Sequence, residues 1–181
     1  MKRFWVVLGC VCLLTLAGCN GSGGERGSAA PGSVYCEPTA QKDYAALYLQ
    51  VLEDLWAEDH GLNGGTYISV DLHEAPGNLT EEEIAAIAKT FAEAHGATPL
   101  TLSYRELADQ GYLAENSDHW DDGVLYSIDC RSLQGQPLPE EHFSATKWVA
   151  SEGAYFFEDC TAHWSESGAF LDYEIGGEAI S

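Results

Sequence analysis

Positive charge is scarce in this chain. Eight Lys and Arg stand against 29 Asp and Glu, a formal net charge of −21. So acidic a surface repels phosphate backbones and anionic headgroups, which sets aside nucleic acid and electrostatic lipid docking as partners. No Cys-x-x-Cys or Cys/His cluster has zinc spacing, so a structural zinc site is not expected. Equally missing are a Gly-x-Ser-x-Gly elbow, a phosphate-binding glycine loop and a zinc-protease histidine pair. The longest apolar run, Phe4 to Leu16, is short of the ~20 residues a helix needs to span a bilayer. No internal repeat or second-domain break is visible. What the chain does have is 45% hydrophobic residues and 11% aromatics, enough to bury a core and to argue against global disorder.

The N-terminus has the anatomy of a signal peptide. Lys2 and Arg3 form a positive start, and Phe4 to Leu16 forms the apolar middle. Leu16-Ala17-Gly18-Cys19 then looks like a lipobox, at which lipoprotein signal peptidase cuts before a diacylated cysteine. The alternative is an uncleaved apolar anchor that happens to contain Cys10 and Cys12. Cleavage would remove residues 1–18, Lys2 and Arg3 among them, and leave 6 of the 8 basic residues. Several acyl chains on Cys19 hold a protein on a membrane where one chain does not. Residues 19–33 are rich in Gly and Ser and read as a flexible tether.

A folded domain is expected over residues 34–181. Gln41 to Asp59 carries Tyr44, Leu47, Tyr48, Val51, Leu52, Leu55 and Trp56 at helical spacing. Thr66 to Leu72 alternates like a half-buried strand, and Ala75 to Asn78 is a turn. Thr80 and Glu83 form a capping box, with Leu79 able to staple to Ile84. Ser103 and Glu106 open a shorter helix ending at Gly111. From Gly123 the period becomes two, predicting strands over Val124 to Cys130, Phe143 to Ala150, Ala154 to Trp164 and Ala169 to Ile175. The fold class expected is α+β: two to three helices on one face of a largely antiparallel sheet, with a four-strand C-terminal meander.

Helices leading into a curved meander resemble the cystatin or nuclear-transport-factor-2 plan, a likeness of fold that implies no function. Lys147-Trp148, Gly153-Ala154-Tyr155-Phe156-Phe157-Glu158-Asp159-Cys160 and the closing Gly177 to Ser181 are similar to a pattern in small uncharacterised lipoproteins of Gram-positive bacteria. Asp54-Leu55-Trp56 and Gly61-Leu62-Asn63 fit it too. The resemblance implies an address and a fold, and no activity.

Three groups of residues could carry chemistry. Asp71, His73 and Glu74 sit where the first strand ends, as metal ligands or as ordinary strand-end polarity. Asp118, Asp121 and Asp122, in a loop with Glu115, Asn116 and His119, could hold calcium through carboxylate oxygens. Their order does not match an EF-hand, and the alternative is a solvated acidic loop with Trp120 folded inward. Cys160 and His163 suggest a nucleophile and base. Three residues apart on a strand they point to opposite faces, so a buried, inert Cys160 is expected, on the face of Phe156, Ala162 and Trp164. Cys36 and Cys130, both beside extended or looping segments, are the pair expected if one disulfide forms; the alternative is that Cys36, Cys130 and Cys160 are all reduced. No cofactor is expected beyond weakly held calcium.

Two function classes remain. The first is a non-catalytic binding or interaction module at the cell surface, with an envelope protein or a small molecule as partner. The second is an extracytoplasmic enzyme using Asp, Glu and His in a concave pocket. Two or more of Asp71, His73, Asp159 and His163 meeting in one cleft would favour the enzyme.

Overall fold

The two long amphipathic segments form the two principal helices. The computed structural model describes residues 41–113, 118–130 and 141–181. Helix α1 (Tyr44–Ala57) starts where the Asp43 carboxylate accepts the Ala46 N–H at 3.0 Å. Its buried stripe is Leu47, Tyr48, Val51, Leu52 and Leu55. Helix α2 (Glu81–Ala94) opens on a complete capping box. The Thr80 hydroxyl accepts from Glu83 N–H at 3.3 Å, and the Glu83 carboxylate accepts from Thr80 N–H at 2.8 Å. That donated N–H, with the Thr80 hydroxyl, holds Glu83 below the usual carboxylate range. A second box, Ser103 with Glu106, opens the short α3 (Tyr104–Asp109).

The strands form one mixed sheet in the order β2-β1-β3-β4-β5-β6. Strand β1 (Tyr67–Asp71) is parallel to both β2 (Thr98–Leu100) and β3 (Gly123–Asp129). Parallel neighbours need a long crossover, and α2 supplies it between β1 and β2. The rest is antiparallel: β3, β4 (His142–Ala150), β5 (Gly153–Trp164) and β6 (Phe170–Glu174) form the four-strand meander. Strand β7 (Gly177–Ile180), which the period-two reading did not separate from the C-terminal tail, pairs with the first half of β5 beside β6. The fold is α+β.

The main core lies between one face of this sheet and helices α1 and α2. Ile68, Val70 and Leu72 of the β1 segment, Val124, Tyr126 and Ile128 of β3, and Phe143 and Ala145 of β4 meet the two helical stripes there. A smaller cluster of Leu107, Leu113, Trp120 and Leu125 packs on the opposite face, since Leu125 alternates with Val124 and Tyr126. So α1 and α2 share one face, and α3 helps to cover part of the other.

Lys147 sits within the main core, fully buried and on the same side of β4 as Phe143 and Ala145. Its ammonium donates to the carbonyl oxygens of Leu55 (3.3 Å), Glu58 (2.7 Å) and Asp59 (3.1 Å). Those carbonyls lie at the C-terminal end of α1, where backbone acceptors lack helical partners and a positive charge is favoured. Burial pushes the Lys147 ammonium down to about 8 despite the nearby Asp59 and Glu58 carboxylates.

A bulge in β5 resets the side-chain alternation. Phe143 pairs with Cys160 but Ala145 pairs with Phe157, so Glu158 and Asp159 together oppose Ser144. Asp159 takes a left-handed backbone, φ 49°. Cys160 therefore shares its face with Tyr155 and Phe157, not with Phe156 as strict alternation would have it. A strict period of two holds only in an unbroken strand, and one extra residue inverts the facing of everything before it.

Candidate functional site

The carboxyl end of β1 opens into a cleft of about 360 Å³ lined by Asp71, His73, Glu74, Ser103, Arg105 and Glu106. Parallel strands present their carboxyl ends together, so the chain leaving β2 brings Ser103 and Glu106 to the place where β1 delivers Asp71 and His73. His73 Nδ1 lies 2.8 Å from Asp71 Oδ1, and Nε2 lies 3.6 Å from Glu81 Oε2 at the start of α2. The Asp71 hydrogen bond raises the His73 imidazolium above its ordinary range. Nearby negative charge on Asp71, Glu81 and Glu106 adds to this, against a smaller effect of burial. Two of the four residues named as discriminators thus meet in one cleft.

The other two do not join them. Asp159 is a partner of His142, at 2.9 Å across β4 and β5. His163 lies 3.8 Å from Glu174 of β6. Cys160 is buried on the opposite face from His163, and burial pushes its thiol up to about 12, with the Asp159 charge adding to the shift. The cleft also lacks a nucleophile aligned on the imidazole. Its one hydroxyl, Ser103 Oγ, lies 2.7 Å from Glu106 Oε2 within the helix cap. The side chain of His73 keeps 36% of its exposure, so water reaches it freely. What the arrangement offers chemically is an imidazole held among carboxylates, suited to small polar or cationic groups.

The carboxylates of Asp118, Asp121 and Asp122, the candidate calcium ligands, each have protein partners. The Asp118 carboxylate accepts from Ser151 Oγ at 2.8 Å, which is the main reason it is held below its usual range. Asp121 pairs with His119 Nε2 at 2.9 Å, and Asp122 accepts from Thr66 N–H at 2.9 Å. His119 lies between two of them, its Nδ1 3.8 Å from Asp118 Oδ1 and its Nε2 on Asp121, while Asp122 turns to Thr66. No group of three or more His, Cys, Asp or Glu among the described residues is placed to hold a metal ion. This loop is a clamp. The Asp122 carbonyl also accepts from Thr66 and Tyr67 N–H, Trp120 N–H donates to Val149 O at 2.7 Å, and the Trp120 indole is buried.

Cys130 and Cys160 are free thiols, one half-buried and one buried. Cys36, the partner expected for Cys130, lies outside the described residues, as do Glu115, Asn116 and the lipidation residue Cys19.

Sequence reasoning passed over Lys147, although a signal was present: it has the parity of Phe143 and Ala145 in an apolar strand face. It also passed over the bond from Tyr173 Oη to Asp54 (2.7 Å), which ties β6 to α1. That pairing spans 119 positions and has no local signature. No family model, no curated protein and no solved structure matches the chain.

Proposed function

We propose that this chain is a lipoprotein held through Cys19 on the extracytoplasmic face of a cell membrane, with residues 34–181 acting as a non-catalytic binding or interaction module. The observation that carries the reading is Leu16-Ala17-Gly18-Cys19, placed directly after a charged start and an apolar run. The Gly/Ser-rich segment behind it supports the same reading, since a folded domain needs a spacer to stand off the headgroups. For the module, the support is the shallow cleft at the end of β1, whose hydroxyl is committed to a helix cap and whose imidazole is open to water. Its partner is an envelope protein or a small polar molecule.

Metabolic labelling with a radioactive or clickable fatty acid tests the anchor. The unchanged chain takes up label and fractionates with membranes; Cys19→Ser does neither, yet its domain folds. Label retained on Cys19→Ser would overturn the reading.

An extracytoplasmic enzyme is the second reading, and the Asp71–His73 hydrogen bond favours it, because a carboxylate orients a general base in this way. Purified chain assayed on ester, phosphoester and peptide substrates decides it. Turnover that disappears in His73→Gln would establish the enzyme; turnover unchanged in that variant would rule the dyad out.

A further inference from the structure

Strands β6 and β7 lie end to end along one side of β5 and together form the edge of the sheet there. Its pairing with β5 runs from Trp164 opposite Phe170 to Tyr155 opposite Ile180, so the two strands together line nearly the full length of β5. Among the described residues no strand pairs with its outer side. Three of the four large hydrophobic side chains exposed among the described residues lie here: Leu171 at 62%, Ile175 at 37% and Ile180 at 69%. The opposite edge, β2, is protected in two ordinary ways, being three residues long and carrying Pro99. The β6–β7 edge has no proline and no lysine or arginine between Ala169 and Ser181. Its charges are all of one sign, from Asp172, Glu174 and Glu178.

We propose that this edge docks an extended basic segment of a partner protein, which adds a strand to the sheet. Main-chain hydrogen bonds along the edge would supply affinity, and alternate side chains specificity. Leu171 and Ile175 would receive apolar residues of the incoming strand, and Asp172 and Glu174 its Lys or Arg. Charge decides against a second copy of this chain. An antiparallel self-pairing about Tyr173 sets Leu171 opposite Ile175, but it also sets Asp172 opposite Glu174, and like charges directly opposed destabilise a ladder. The bulge at Leu171 and the break at Ile175–Gly176 bound two short hydrogen-bonding stretches, Asp172 to Glu174 and Gly177 to Ile180, with the Leu171 and Ile175 side chains flanking the first. Such docking presupposes that the domain is the binding module proposed for it, and needs neither the lipid nor the cleft.

The test uses the full detergent-solubilised chain and two synthetic peptides, one alternating lysine with valine and one alternating glutamate with valine. Hydrogen exchange of backbone amides is read residue by residue. The lysine peptide is expected to protect those amides of residues 172–174 and 177–180 whose N–H points away from β5, every second one along each strand, and the glutamate peptide to protect none. The double variant Asp172→Lys with Glu174→Lys changes only exposed side chains. It should weaken the lysine peptide about tenfold and strengthen the glutamate peptide. Equal binding of both peptides, protection spread over the acidic surface, or protection by a second copy alone would each overturn the edge proposal. Protection confined to the cleft around His73 would overturn the edge while leaving the binding module standing. No binding of either peptide anywhere would count against both.

Discussion

A single lysine closes the end of the first helix from across the sheet. Lys147 donates to three carbonyls at the end of α1, and those bonds offset the desolvation of its ammonium. Lys147→Ala should therefore cost about 2–4 kcal/mol, through lost hydrogen bonds and a cavity, and Lys147→Met somewhat less because it keeps the volume. Urea denaturation at neutral pH measures both. The pH dependence has a definite sign. The folded chain releases the Lys147 proton near 8 and the unfolded chain near 10.5. Between those values the unfolded state binds more protons, so this residue makes stability rise with pH across that window. The Lys147→Met variant should lose that rise; an unchanged slope would mean that the ammonium is not the group responsible.

Among the elements, the loop ahead of β3 shows how an acidic run can be structural. Gly65 and Gly123 let it close on β1. A Cβ at Gly123 would come within 2.5 Å of the Trp120 indole, and one at Gly65 within 2.4 Å of the Asp122 backbone. Gly123→Ala forces the indole out of a packed site, with an expected loss of about 1–3 kcal/mol. Thermal unfolding, with Trp fluorescence as the signal, reads this directly. Because the loop carboxylates are already engaged, Asp118 by Ser151 and His119, Asp121 by His119 and Asp122 by Thr66, millimolar calcium should leave the melting temperature unchanged. A calcium-dependent rise abolished by Asp121→Asn would establish a cation site in this loop. In β5 the bulge at Asp159 and the neighbouring Gly176 are matched: a Cβ on Gly176 would approach Asp159 O to 2.7 Å. The local crowding explains why the edge is split into β6 and β7 at this point.

Net charge governs the molecule as a whole. At −21 the chain repels itself, and five of its histidines each lie within 4 Å of a carboxylate, His95 with Glu53 and His142 with Asp159 among them. Screening weakens the net repulsion more than it weakens contact pairs, since the Debye length falls from about 30 Å at 0.01 M salt to about 3 Å at 1 M. Raising the salt over that range should lift the melting temperature by a few degrees, as followed by scanning calorimetry. A fall would show that the local ion pairs outweigh the global repulsion.

Much of this fold is local and could be read in the sequence. Both capping boxes, the apolar stripes of α1 and α2 and the four meander strands depend on neighbours within one or two turns or on a period of two. Other features depend on residues far apart in the chain, and only the tertiary structure decided them. The parallel pairing of β1 with β2 and β3 needs the α2 crossover to bring them together. One extra residue at Asp159 inverted the predicted face of Phe156 relative to Cys160. The Asp71–His73 pair was visible as a spacing of two, but Glu81 reaches it through the turn that leads from β1 into α2, and Glu106 because the ends of β1 and β2 lie side by side. The three loop aspartates were legible as a cluster, yet their partners Ser151, His119 and Thr66 could not be assigned without the fold. Sequence determines what each short stretch prefers; which carboxylate meets which donor is set by long-range packing, for which a chain read in order has no distance scale.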